Sequence, residues 1–186
     1  VSLGIALPQA EDLARELEVV AGVSRVEVAG SLRRGRELVH DGDLVEATTD
    51  APTLFAALAA SPRVERVISS GDARAAVMTH TGIRVELAAA PPERFGNLLQ
   101  HATGSARHNV RLREIAVRMG LSVSEHGIAD ADGVAHVHEQ FLTLAAEHVA
   151  EFLAAVVWLG ASDVLLALAA AEHAGGEAAG EDLHQR

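Results

Sequence analysis

Between Val28 and Glu46 the chain reads VAGSLRRGRELVHDGDLVE, and this run holds the residues best suited to chemistry. A short apolar strand, Val23–Ala29, carries Val23, Val26 and Val28 and turns at Gly30-Ser31. Phosphate is held by backbone N–H groups and cations. A turn leading into a helix N-terminus supplies the first, and Arg33, Arg34 and Arg36 supply the second. Divalent metal calls for carboxylates, and Asp41 and Asp43, two apart on a strand, project from one face. A phosphate cradle followed within about a dozen residues by a carboxylate pair points to metal-assisted phosphoryl or nucleotidyl transfer. Taken alone, the turn reads equally well as an ordinary one with solvated arginines.

Three later pieces stand behind it in order: Ile83-Arg84-Val85-Glu86-Leu87 leading to Pro91-Pro92, then Thr103-Gly104-Ser105, then Glu125-His126-Gly127. With them the chain resembles the palm of family X DNA polymerases, within the nucleotidyltransferase superfamily and nearest its bacterial branch, over roughly residues 1–130. The resemblance implies that Asp41, Asp43 and Glu86 are catalytic and hold two Mg2+ (or Mn2+) ions. In such a scheme one ion lowers the pKa of a primer 3′-hydroxyl and the other holds the triphosphate. It further implies Gly30, Ser31 and Arg34 around the triphosphate, with His40, His101 and Gly104 at family positions beside the nucleotide. Asn109 and Arg113 match positions that meet the incoming base and the template. Arg84, two before Glu86 and on the same strand face, is placed to orient it by a charge-assisted contact. The plainer readings are a surface strand carboxylate for Glu86 and solvated helix residues for Asn109 and Arg113.

Four departures from the family pattern point to a weakened site. Glu86 stands where Asp is usual, longer by a methylene, and a misplacement of about 1 Å costs roughly 10²-fold in rate. His40 adds bulk where Gly lets the backbone approach phosphate. Gly42 replaces a bulky apolar residue between the aspartates and loosens the strand. His101-Ala102 replaces an aromatic pair before Thr-Gly-Ser, which implies poor discrimination between deoxy- and ribonucleotides.

Composition narrows the alternatives. The 186 residues are long enough for one good core, or one domain with a small lobe, and 49% apolar content excludes disorder for most of them. Cys is absent, so there is no disulfide framework and no thiolate metal site, and ten His without Cys make no zinc pattern. All fifteen basic residues are Arg, which excludes a Walker-type loop and amine lyase chemistry. No signal pattern precedes the first strand, and the chain reads as cytoplasmic. The net charge of −11 is awkward for a DNA binder, but it is uneven: Arg94–Arg118 holds five Arg against Glu114 alone, whereas Phe141–Arg186 holds seven acids and one Arg.

The elements that must position these residues follow from punctuation. Pro8 with Glu11 and Asp12 marks a helix start, and Asp50-Ala-Pro52 opens a second helix to about Ala60. Asp41–Ala47, Val64–Ser69, Ala73–Thr79 and Ile83–Ala89 read as strands, with His80-Thr81-Gly82 a hairpin turn. Helices follow near Glu93–His101 and Ala106–Met119, then short strands near Leu121–Ser124 and Gly127–Ala129. Asp130-Ala-Asp132-Gly133 has Gly misplaced for a calcium loop and reads as a turn, and the His136-x-His138 pair reads as exposed. Phe152–Ala171 has about the length of a membrane span. Asp163 inside it costs roughly 2.5–3.5 kcal/mol on insertion, so two packed helices are expected rather than a span.

The expected fold is α+β: a nucleotidyltransferase palm with a mixed sheet and flanking helices over 1–92, a small thumb-like lobe over 93–136, C-terminal helices over 137–173, and a disordered tail over 174–186. The expected function is transfer of a nucleotide from a nucleoside triphosphate to the 3′ end of gapped or primer-template DNA, as in gap-filling repair. Two alternatives stay open: a degenerate relative that binds nucleotide or DNA without efficient catalysis, and a minimal nucleotidyltransferase acting on a protein or small acceptor. Self-association or domain docking through Phe152–Ala171 is the further partner expected.

Overall fold

The computed structural model describes residues 1–130, 132–133 and 135–136. The chain divides into two units, Val1–Ala135 and His136–Arg186. The expected C-terminal helices, the tail and the Phe152–Ala171 segment lie outside the described residues, as does His138.

Helix α1 spans Leu3–Leu17 and buries Ala6, Ala10, Leu13, Ala14 and Leu17, a stripe at three- and four-residue spacing. It begins five residues before Pro8, which the sequence reading placed in the first turn. Pro8 removes a bond to the carbonyl of Gly4, and Gly4 is exposed, so water can take that carbonyl. Strand β1 (Val23–Val28) leads to a single helical turn, α2 (Gly30–Arg33). Strand β2 (Asp41–Thr48) follows, then α3 (Ala51–Ala60), whose cap Asp50 accepts from the Thr53 amide at 3.1 Å and the Thr53 hydroxyl at 2.6 Å. Strands β3 (Val64–Ser70), β4 (Arg74–Thr79) and β5 (Arg84–Ala90) form a meander. A 3-10 turn, Pro92–Arg94, leads into α4 (Phe95–Thr103), followed by α5 (Ala106–Arg118) and short strands β6 (Ser122–Ser124), β7 (Gly127–Ala129) and β8 (Ala135–His136).

The fold is α+β around a mixed sheet of five strands in the order β1-β2-β5-β4-β3. All its pairings are antiparallel except that of β2 with β5. The register of this one parallel pair sets Asp41 beside Arg84 and Asp43 beside Glu86. Strand alternation then sorts the two faces. One face packs Leu44, Val85 and Leu87 against α1 and α3. The other packs Val45, Ala47 and Ala88 under Phe95, Leu98 and Leu99 of α4, and Asp41, Asp43, Arg84 and Glu86 share this second face. Helix α4 therefore covers the later part of the acid-bearing strands and leaves their first turns open. The remaining strands make a small sheet in the order β6-β7-β8.

Candidate active site

A carboxylate cluster forms where β2 and β5 begin. Asp41, Asp43 and Glu86 are half-buried. The Asp43 carboxyl is pushed up to about 6, first by burial and then by the neighbouring charges of Asp41 and Glu86, against the pull of Arg34 and Arg74. Like charges converging in a partly dry place favour a bound cation. Arg84 answers part of that demand: its guanidinium lies 2.5 Å from Glu86 Oε1 and 3.9 Å from Asp41 Oδ2. Arg84 and Glu86 are thus paired, and the pair ties up one oxygen of that carboxylate.

Among the described residues no three His, Asp or Glu side chains stand in a ready-made metal cage. The donor set still suits Mg2+, which takes hard oxygen ligands and is held by one or two carboxylates together with substrate phosphates rather than by an all-protein cage. Asp41 and Asp43 are the pair best placed for that task.

Beside the acids lies the phosphate-type turn. Gly30 has a φ of +57°, in the left-handed region that favours glycine, and it abuts the Asp43 carboxylate. The Ala29 amide donates to the Asp43 carbonyl at 2.8 Å, which fixes the turn against β2. Arg34 donates from its terminal nitrogen to the Thr103 carbonyl, joining the turn to the end of α4. Ser31 Oγ, Arg34 Nε and Thr103 Oγ1 are buried yet have no hydrogen-bond partner. Unmatched buried donors are costly, and these lie beside the acid cluster. Gly104 lies in close contact with Arg34. His40 is exposed directly before Asp41.

At the α4–α5 corner the polar side chains have partners within the protein. Asn109 donates to the His101 carbonyl at 2.8 Å and accepts from Gln100 Nε2 at 2.9 Å, so both ends of its amide are used within the protein. Exposed Arg113 donates from Nε to the Asn109 carbonyl at 3.2 Å. The His101 ring lies 3.1 Å from Glu125.

Two residues that reasoning from the sequence passed over bear on the site. Arg74 of β4 sits on the acid face and lowers the proton affinity of Asp43. Nothing local marks it, because its position depends on β4 pairing with β5. Glu46, three residues beyond Asp43, is fully buried with both oxygens unpartnered. A charge inside the apolar run Leu44–Ala47 was a visible signal for it.

The fold matches that of polymerase beta. The crystal structure of Leishmania infantum polymerase beta in a ternary P/T complex superposes with a TM-score of 0.61 over 70% of this chain and 57% of that one, at 18% identity. The family described as DNA polymerase beta thumb matches residues 98–149. The DNA polymerase/3'-5' exonuclease PolX of Bacillus subtilis (strain 168) is 34% identical over 128 residues, which is 68% of this chain and 22% of that protein. Over this region the chain belongs to the family X, polymerase beta-like, DNA polymerases. It spans about a fifth of the length of the bacterial relative, 22%.

Proposed function

We propose that the chain carries the nucleotidyl-transfer centre of a family X DNA polymerase, adding a nucleotide from a nucleoside triphosphate to the 3′ end of gapped or primer-template DNA. The observation that carries this reading is the adjacency of buried, unpartnered donors (Ser31 Oγ, Arg34 Nε, Thr103 Oγ1) to the convergent acids Asp41, Asp43 and Glu86. Buried donors on one side and converging carboxylates on the other suit the two halves of a metal–triphosphate complex.

On this reading Asp41, Asp43 and Glu86 hold two Mg2+ (or Mn2+) ions, which supply activation of the 3′-hydroxyl and neutralise charge on the triphosphate. Ser31 and Arg34 bind phosphate oxygens, the planar guanidinium by a two-pronged contact. Gly30 and Gly104 let backbone come close to them. Arg84 holds Glu86 in place, and Arg113 meets the template strand. His40 and His101 flank the nucleotide, with Asn109 setting the corner on which it rests. The palm covers 1–92 and the thumb-like lobe 93–136, and the chain works in the cytoplasm.

A second reading, a relative that binds nucleotide or DNA without efficient transfer, is favoured by one specific contact: Glu86, already longer than the usual Asp, is paired with Arg84 at 2.5 Å. The test is incorporation of one labelled nucleotide into one-nucleotide-gapped DNA with Mg2+ and with Mn2+, beside an Asp43→Ala control. Incorporation abolished by the control supports transfer. Binding of triphosphate without incorporation under either metal favours the second reading, and neither binding nor incorporation removes both.

A further inference from the structure

Helix α2 is a single turn, too short to hold its own shape, and Ala29 at its head has no side chain to cap it. Its direction is set by what its four residues touch. Gly30 abuts the Asp43 carboxylate, and Leu32 is buried in the core with Leu44 and Val85. Arg33 turns back to β1, where one terminal nitrogen donates to Glu27 Oε2 at 3.0 Å and to the Val28 carbonyl at 3.4 Å. The other oxygen of Glu27 accepts from Nε and a terminal nitrogen of Arg25, at 3.1 and 2.9 Å. Arg25 in turn lies over the ring of Phe95 at the start of α4, 5.0 Å from its centre. One carboxylate thus links the phosphate-type turn, through β1, to the helix that covers the sheet.

We propose that Glu27 is a positioning residue for the triphosphate: by holding Arg33 it fixes the rotation of α2, and so sets where Ser31 and Arg34 are presented. This role rests on the nucleotidyl-transfer reading and names what orients its phosphate grip. Ser31 and Arg34, three apart on a helical turn, share a side, and Arg33 projects away from it. A tether on Arg33 therefore turns both of them without occupying the phosphate side.

The chemistry of Glu27 fits a positioning role and not a contact role. A carboxylate repels phosphate, and here both of its oxygens are engaged by guanidinium groups. On its other flank α2 is tied by Arg34 to the Thr103 carbonyl at the end of α4, so the turn is braced from two directions. Ser31 Oγ and Arg34 Nε, the atoms this bracing aims, are the buried donors without a partner. The Glu27 and Arg33 side chains are 29% and 21% exposed, so solvent screens their pair only in part. Loss of that pair is expected to weaken triphosphate binding about three- to tenfold.

The test is calorimetric titration of dATP with Mg2+, and of inorganic triphosphate with Mg2+, on the full chain and on Glu27→Ala, Arg33→Ala and the double variant. Each single change should weaken both ligands about three- to tenfold. The double change should cost no more than the larger single one, because the two side chains act as a unit. Losses that multiply in the double variant, a loss confined to dATP, or unchanged affinity in Glu27→Ala overturns the proposal while leaving the nucleotidyl-transfer reading in place. An unaltered chain that binds neither ligand overturns that reading and the role of Glu27 with it. Should Glu27→Ala fail to fold, Glu27→Gln takes its place with the same outcomes.

Discussion

A Cβ built on Gly30 would stand 1.7 Å from Asp43 Oδ2 and 2.6 Å from its Cγ, with nothing flexible to yield except the carboxylate itself. The glycine that opens the phosphate-type turn therefore also sets where the aspartate can lie. Its positive φ adds a second demand for glycine at the same place.

Gly30→Ala should consequently displace Asp43 rather than merely crowd the turn. A left-handed Ala costs about 1–2 kcal/mol of stability. A ligand moved by about 1 Å costs roughly 10²-fold in rate. The expected outcome is a folded protein with a slightly lower urea midpoint and at least that loss in single-nucleotide incorporation. Unchanged incorporation would show that the turn and the aspartate do not act together.

The Asp43 carboxyl, raised to about 6 from 3.8, predicts two pH effects in opposite senses. Its folded value lies above its unfolded one, so its stabilising contribution is complete below pH 3.8 and is lost as pH rises through about 6. Asp43→Asn should accordingly raise the melting temperature at pH 7.5 and lose that advantage near pH 4. Metal needs the ionised form, so Mn2+ affinity should fall about tenfold per pH unit below about pH 6. Calorimetric titration of Mn2+ between pH 5 and 8 checks the second effect, and a flat affinity would count against Asp43 as a ligand.

Glu46 offers a cleaner case because it touches no part of the proposed chemistry. It is 0% exposed, both oxygens lack partners, and burial pushes it up to about 8 from 4.5. The sign is again that of a raised carboxyl: stability is intact below pH 4.5 and declines as pH climbs through about 8. The full decline is on the order of 5 kcal/mol. Glu46→Gln should be nearly neutral at pH 5 and clearly stabilising at pH 9 in urea denaturation. Equal stability of the two proteins at pH 9 would mean that Glu46 has a partner there.

Gly42 sits in mid-strand between the two aspartates, on the opposite face. A Cβ there would meet Leu32 and Val85 at 3.5 Å and Ala10 at 3.9 Å, ordinary packing distances. Gly42→Ala should raise stability by about 0.5–1 kcal/mol, since glycine loses the most freedom on folding. A fall in the urea midpoint would mean that the strand needs glycine for its path.

Most of the fold was legible because punctuation lay where the elements end. Asp50-Ala-Pro52 capped α3 and His80-Thr81-Gly82 turned the β4–β5 hairpin as their chemistry dictates. Pro8 misled because the first-turn preference for proline competes with its tolerance one turn later, where Gly4 offers an exposed carbonyl. In the site, the aspartate pair was legible from spacing alone, since alternation along one strand is local. Arg74 was not, because its neighbours are chosen by the β4–β5 register. The inward use of Asn109 was equally hidden, for it depends on how α4 meets α5.

The parallel pairing of β2 with β5 bears on when the acid cluster comes into being. Asp43 and Glu86 are neighbours only through that pairing, and α3, β3 and β4 lie between the two strands along the chain. Non-local pairings of this kind form late, after the loop-closure entropy has been met. An incompletely folded chain therefore lacks the concentrated negative patch and has little to offer a divalent cation. A divalent cation held there, as proposed, would then select the finished sheet over earlier states and add its own binding free energy to that step.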